Sequence, residues 1–331
     1  MHPQPIRIVG AGLAGPLCAI LLARRNFQVT LYERRGDPRV SPAEAGRSIN
    51  LALAARGIRV LERVGLMERI RPLMITMRGR MVHETGQPAR LQPYGQRPQE
   101  VIYSVGRAAL NRVLIEEAAR HPSAELRFDQ ACESVDTARN VMMLRDVPSG
   151  RAYEMPLSPT IAADGASSSV RSSLATSGAL AVREDEQDHD YKELAIPPAG
   201  GSHVHVLERE ALHVWPRHGF MLIALPNTDG SFTATLFYPR SGLSSFASLV
   251  GERAIEDLFA REFPDVRPHI PDLARQFREH PQGRLRTVHA WPWHTAGQAL
   301  LLGDAAHAIV PFHGQGMNAA FEDCSLFDAL L

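Results

Sequence analysis

Gly10, Gly12 and Gly15 stand in the pattern G-x-G-x-x-G, between an apolar run at 6–9 and a helical stretch at 16–25. That spacing, after a strand and before a helix, is suited to a pyrophosphate. Gly10 permits the tight turn, Gly12 lets the phosphates approach the backbone, and Gly15 lets helix and strand pack closely. The free N–H groups at the helix start, and the helix dipole, then hold the negative charge. Glu33 ends a second strand at 27–33, eighteen residues after Gly15. A carboxylate there can accept hydrogen bonds from both hydroxyls of an adenosine ribose. Arg34 and Arg35 follow, either against adenine or phosphate or simply solvated.

Two later stretches repeat the logic of an acid at a strand end. Residues 161–165 read as a buried strand ending in Asp164-Gly165, followed by a serine-rich helix start containing Ser169 and Arg171. Asp164 suits a ligand at the carboxyl end of a strand, an N-cap role, or both. Residues 300–302 lead into Gly303-Asp304, and Gly314 and Gly316 precede a further helix. Asp304 can bond a sugar-alcohol hydroxyl, and the glycines form a second cradle of N–H groups. Three such places imply one extended ligand, and FAD is long enough to need them all. Arg107 opens a helix at 107–119, where a cation is unfavourable unless it meets an anion.

Residues 74–83 alternate as a strand that puts Arg78 and Arg80 on one face and Ile75 and Met77 on the other. A turn through Gly86 and Pro88 leads to Tyr94, which suggests a hairpin. Both arginines could face solvent. If their face lines a cavity, Arg80 can take a carboxylate bidentately and Tyr94 can add an O–H donor. His203, His205 and His213 lack metal-site spacing, so structural or exposed histidines, and no metal, are expected.

These residues need elements to position them. A polar link at 41–50 leads into a helical pattern at 51–64, with Arg47 or Ala52 beside a ligand or on an ordinary surface loop. Strands are expected at 101–105, 126–128, 141–144 and 153–157. A second, mostly antiparallel sheet is expected from 191–196, 203–207, 212–215, 220–225 and 231–238, with packing helices at 243–263 and 271–277.

The length of 331 residues allows two domains. Lys plus Arg and Asp plus Glu balance at 36 each, so neither nucleic acid nor an anionic membrane is implied as a partner. Cys18, Cys132 and Cys324 are odd in number, far apart and without CxxC, so neither disulfides nor zinc are indicated. A reducing, cytoplasmic setting fits. The apolar run at 17–23 is too short to span a bilayer, and the residues ahead of it are not a basic leader.

Gly10 to Gly15 with Glu33, Asp164-Gly165 with Arg171, and Gly303-Asp304 together resemble the class A flavoprotein aromatic hydroxylases. Within that class the chain is most similar to the kynurenine-hydroxylating branch. The runs that carry this are Gly46-Arg47-Ser48-Ile49-Asn50-Leu51-Ala52-Leu53, Met77-Arg78-Gly79-Arg80-Met81, Pro93-Tyr94-Gly95, Tyr191-Lys192-Glu193-Leu194, Leu225-Pro226-Asn227 and residues 301–324. The resemblance implies an α/β architecture: a Rossmann-like FAD-binding domain (1–75, 103–186 and 285–331) with an inserted, mostly antiparallel substrate domain (76–102 and 187–284).

By the same resemblance FAD would be held by Ala14 and its glycine neighbours, Tyr32, Glu33, Arg34, Arg35, Ala52, Arg107, Cys132, Asp164, Ser169, Asp304, Gly316, Met317 and Asn318. Arg80 and Tyr94 would hold the amino-acid carboxylate of L-kynurenine, and Phe232, Phe312 and His313 would border its ring. The implied reaction consumes NADPH and O2 and passes through a C4a-hydroperoxyflavin to 3-hydroxy-L-kynurenine. No acid–base residue of the protein is needed, because the flavin carries the chemistry. The resemblance also implies a helical segment beyond residue 331 that adds an Asn and a Tyr to the substrate site. A chain without it could be a non-catalytic FAD-binding fragment, and a different class A hydroxylase is the other alternative.

Overall fold

The computed structural model describes residues 5–40, 50–200, 204–295 and 297–331. Its first sheet has the order β18-β19-β12-β1-β2-β8. The strands are β1 (Ile6–Val9), β2 (Val29–Tyr32), β8 (Ala124–Arg127), β12 (Thr160–Ala162), β18 (His294–Thr295) and β19 (Ala299–Leu301). Every pairing is parallel except β18 with β19. Short apolar strands such as β1 suit a sheet covered on both faces.

Helix α1 (Ala14–Arg24) is apolar almost all round because it is buried almost all round. Leu17, Ile20 and Leu22 share a core with Ile8, Leu31, Leu110, Leu114 and Phe321. Each such fully buried side chain stabilises the fold by about 1.5–3 kcal/mol. Leu110 and Leu114 lie on α4 (Arg107–Ala118), and Phe321 on α9 (Gly316–Leu330).

The second sheet has the order β17-β13-β16-β15-β14-β5-β6. It comprises β5 (Gly79–Val82), β6 (Arg90–Pro93), β13 (Ala181–Ile196), β14 (Ala211–Arg217), β15 (Phe220–Pro226), β16 (Phe232–Pro239) and β17 (Gln282–Trp291). All neighbours are antiparallel except β5 with β14. Leu194, Ile196, Trp215, Phe232, Ala234 and Leu236 bury one face against α6 (Gly251–Glu262) and α7 (Leu273–Glu279) through Phe259, Phe263 and Phe277.

Two small sheets complete the chain. One is β3-β7-β4, from β3 (Asn50–Leu53), β4 (Met74–Met77) and β7 (Ile102–Gly106); the other is β11-β10-β9, from β9 (Gln130–Asp136), β10 (Val141–Asp146) and β11 (Ala152–Pro156). The remaining helices are α2 (Ala55–Arg63), α3 (Met67–Ile70), α5 (Ser169–Thr176) and α8 (Asp304–His307). Among the described residues no helix is long and apolar enough to cross a membrane.

The structure differs from the sequence reading in four elements and in what stands at one expected boundary. Residues 51–53 belong to a strand, not a helix, because Leu51, Ala52 and Leu53 pair with β7. The alternating stretch 74–83 is two strands in two sheets, broken at Arg78, whose N–H bonds the Glu210 carbonyl. Of the strand expected at 203–207, Val204 makes only an isolated bridge to Ala199, and His203 lies outside the described residues. The helix expected from 243 begins at Gly251, after a single 3-10 turn at Phe246–Ser248. The boundary expected at 186/187 falls inside β13, at its register shift between Glu186 and Asp190.

Candidate flavin and substrate site

The glycine turn lies at the carboxyl end of β1, flanked by the ends of β12 and β2. Gly10 has φ +100°, and a Cβ there would lie 2.5 Å from the Ala163 carbonyl oxygen and 2.8 Å from Asp164 Cα. Only glycine fits that approach. At Gly12 a Cβ would meet nothing within 4 Å. Open space therefore lies beside the start of α1, which has no side-chain cap. Its free N–H groups are available to an anion.

The other two strand-end places adjoin this turn. A Cβ on Gly303 would lie 3.8 Å from the Ala14 Cβ, and one on Gly316 would lie 3.7 Å from Asp304 Oδ1. One on Gly314 would crowd the Ala52 Cβ at 2.9 Å. Gly12, Asp164 and Asp304 thus line one neighbourhood. Arg171 fastens it: its buried guanidinium donates to the carbonyls of Ala166 (2.7 Å) and Ala305 (3.0 Å) and to Glu184 (2.8 Å). It thereby joins the loop after Asp164 to the helix begun by Asp304.

Two carboxyls here are held above their ordinary range. Asp164 is raised by burial; its Oδ2 accepts from the Ser169 (2.8 Å) and Val170 (3.4 Å) N–H groups, while buried Oδ1 has no partner. The N-cap of α5 is Ser168, so Asp164 braces the helix from outside. Asp304 is open to solvent at its surface, yet the protein packed around it desolvates its carboxyl and raises it too, against the pull of Arg107 and His307. An orphaned carboxylate oxygen, an open glycine cradle and two helix starts without side-chain caps, on α1 and α9, fit a phosphate- and hydroxyl-rich cofactor such as FAD.

Glu33 is buried, and burial works to raise its pKa. The Arg35 guanidinium and the Ala11 and Arg35 N–H groups outweigh that and hold it low. Its oxygens accept from Ala11 N (2.7 Å), Arg35 N (3.0 Å) and Arg35 Nε (2.8 Å). A carboxylate has about four lone-pair sites, so a ribose hydroxyl can be added. Arg34 is exposed. The Tyr32 ring is buried, with its hydroxyl on Met155 Sδ, and what it turns to the glycine turn is its carbonyl, which accepts from Gly10 N–H at 2.8 Å. Ser169 Oγ donates to the Cys132 carbonyl (2.7 Å), and burial pushes the Cys132 thiol up to about 12.

Asn318 is wholly buried, and its amide is spent on protein. It accepts from Ala54 N–H (2.9 Å) and donates to the Ala52 (2.8 Å) and Gly314 (3.3 Å) carbonyls. Its side chain is therefore a clamp on β3, and only its backbone at the start of α9, beside Gly316 and the buried Met317, remains for a ligand. Sequence reasoning missed two residues of this kind. Asn111, one turn after Arg107, donates to the Ala11 (2.9 Å) and Gly12 (2.6 Å) carbonyls and braces the glycine turn. Asp323 Oδ2 accepts from Gly303 N–H (2.9 Å) and bonds His307 Nε2 (2.7 Å), which raises the His307 pKa.

The residues expected to hold substrate lie on the second sheet and on the turn before α9. The β5–β6 hairpin stacks the Arg80 guanidinium 5.4 Å above the Tyr94 ring. The Tyr94 hydroxyl is buried without a partner, and burial raises it to about 12, against the pull of Arg80. Arg78, on the same stretch, instead pairs with Glu210 at the surface. Phe312 and His313 sit on a 3-10 turn, Pro311–His313.

Phe232 does not join them. Its ring is buried in the core under α6 and α7, edge-on to His205 (5.4 Å) and His213 (5.5 Å). The aromatic of β16 that reaches Phe312 is Phe237, five residues on and on the opposite face, at 5.3 Å between ring centres. Arg47 lies outside the described residues. Asn50 ties the two sheets, donating to Ser104 Oγ (3.1 Å) and the Pro226 carbonyl (2.9 Å), with its own oxygen buried and free of a partner.

A family model described as "FAD binding domain" matches residues 4–330. Kynurenine 3-monooxygenase of Xanthomonas oryzae pv. oryzae (strain MAFF 311018) is 47% identical over 324 residues, covering 98% of this chain and 71% of that protein. The protein of the same name from Xanthomonas axonopodis pv. citri (strain 306) is 49% identical over 323 residues, covering 97% and 70%. Among solved structures, the tetrameric form of 2-methyl-3-hydroxypyridine-5-carboxylic acid oxygenase superposes with a TM-score of 0.76 at 20% identity, over 99% of this chain and 82% of that one. PqsL of P. aeruginosa in complex with 2-aminobenzoylacetate gives 0.72 at 21% identity, over 98% and 85%. At those identities the structures speak to the fold alone, whereas the sequence matches reach the family: the chain belongs to the FAD-binding flavoprotein hydroxylases and, among them, to the kynurenine 3-monooxygenases.

Proposed function

We propose that this chain binds FAD and hydroxylates L-kynurenine to 3-hydroxy-L-kynurenine, with NADPH and O2 as co-substrates. The observation that carries this is 47% identity to a kynurenine 3-monooxygenase across 98% of the chain, with Arg80 and Tyr94 stacked together on the β5–β6 hairpin. Bound FAD supplies the redox chemistry and oxygen activation. The protein's part is to bind, orient and keep water out.

Arg80 offers a planar fork of donors to the amino-acid carboxylate. Tyr94, with its hydroxyl held protonated to about 12, donates a hydrogen bond at any working pH. Phe237 and Phe312 wall the aromatic ring, with His313 beside them. No side chain is assigned a proton transfer. On the cofactor side Gly10, Gly12, Ala14 and Gly15 take the pyrophosphate, Glu33 with Arg34 and Arg35 the adenosine, and Asp304 with Arg107 and the start of α9 the flavin end. Asp164, Ser169 and Cys132 complete the cradle. The division into a flavin domain and an inserted substrate domain, and a cytoplasmic location, belong to the same reading.

Arg80→Ala tests it. The variant is expected to keep FAD and to lose kynurenine-stimulated NADPH oxidation, with KM raised on the order of tenfold or more. Undiminished stimulation by kynurenine overturns the substrate assignment.

A further inference from the structure

Lys192, on β13, points away from the flavin site. It is 6% exposed, and its ammonium donates to the carbonyls of Phe277 (2.8 Å) and His280 (2.7 Å), at the carboxyl end of α7. The Phe277 ring lies 5.2 Å from Nζ. Two of three N–H donors are thereby used on neutral oxygens. No carboxylate among the described residues forms an ion pair with it. Asp190, two residues back on the same face, is taken by Arg240 (3.1 Å) and Gln282 (2.7 Å), and Glu252 is taken by Arg278. Burial lowers the Lys192 pKa, as it does for a cation lacking a counter-charge.

Lys192 lines a cavity of about 260 Å³ with Phe246, Leu249, Ile255 and Phe277, and Arg278 and Gln282 are on its wall too. Gly251 and Glu252, the first residues of α6, line it too, and that helix has no side-chain N-cap. A buried cation and a helix start without a side-chain cap thus border one small cavity whose wall is partly apolar and partly polar.

We propose that this cavity is a second small-molecule site, separate from the flavin site, for a compact aromatic or branched aliphatic monocarboxylate. The carboxylate accepts from the third N–H of Lys192 and from the start of α6, and the apolar body fills the space between Phe246, Ile255 and Phe277. One buried ammonium matches one negative charge, since the other cation on the wall, Arg278, is already paired with Glu252. The site backs onto the substrate face, since the neighbouring Tyr191 packs its ring on Phe237 from the other side of β13 (6.3 Å). None of this depends on the hydroxylase reading.

The test is calorimetric titration of 3-phenylpropionate into the FAD-loaded protein and three variants. Saturable binding of one equivalent is expected, kept in Arg80→Ala and weakened at least tenfold in Lys192→Met. Leu249→Trp, which fills the cavity and leaves Lys192 in place, is expected to abolish it. Absence of saturable binding overturns the proposal, as does loss in Arg80→Ala, which would place the probe in the substrate site. Retention in Leu249→Trp overturns it even where Lys192→Met fails to fold.

Discussion

Phe237 on β16 meets Phe312 edge to face, with ring centres 5.3 Å apart and planes at 71°. This contact brings the second sheet to the turn that precedes α9, and it decides which aromatic of β16 can touch a substrate. Phe237→Leu, which keeps most of the volume, is expected to raise KM for kynurenine about tenfold, or roughly 1.4 kcal/mol, and to waste NADPH. Phe232→Leu is expected to cost roughly 1.5 kcal/mol of stability or less and to leave KM unchanged. Steady-state kinetics with product counted against NADPH separates the two, and equal kinetic effects would contradict the assignment.

The two glycines of the first turn carry different burdens. Gly10→Ala sets a Cβ against the Ala163 carbonyl at a φ of +100°, so the protein without FAD should lose roughly 2 kcal/mol or more. A Cβ at Gly12 has no protein atom within 4 Å, so Gly12→Val should leave that protein about as stable, while FAD affinity falls on the order of 100-fold or about 2.7 kcal/mol. Thermal melts with and without added FAD distinguish these outcomes. A Gly12→Val protein that binds FAD normally would remove the turn from the cofactor site.

These contrasts show what the sequence made readable. The glycine turn, Glu33, Asp164 and Asp304 are legible because each needs only its own strand end and the next helix start. Phe237 was not legible, because strand side chains alternate and a residue of the wrong parity lands on the opposite face. Residues 51–53 satisfied a helical pattern until pairing with β7 made them a strand. Asn111 and Asp323 act through partners far along the chain, so nothing local marks them. Asn318 was readable as a site residue, but its amide proved to be a clamp on Ala52 and Ala54.

The clamp between His307 and Asp323 gives a pH signature. The hydrogen bond to Asp323 raises His307 above its ordinary 6.5. A raised pKa stabilises the fold fully below the unfolded value and loses that contribution as pH rises through the folded one. Melting temperature should therefore decline as pH climbs above about 6.5, the unfolded His value. Asp323→Asn is expected to flatten that decline and to loosen the Gly303-Asp304 turn. An unchanged pH profile in Asp323→Asn would show that the pair does not titrate as described.

The central claim is that bound FAD and the Arg80 face together put one oxygen atom onto kynurenine. Mass analysis of the product formed from L-kynurenine, NADPH and isotopically labelled O2 tests it most directly. The account predicts 3-hydroxy-L-kynurenine carrying a single labelled oxygen. NADPH consumption with only peroxide and unchanged kynurenine, or a product whose oxygen comes from water, would contradict it.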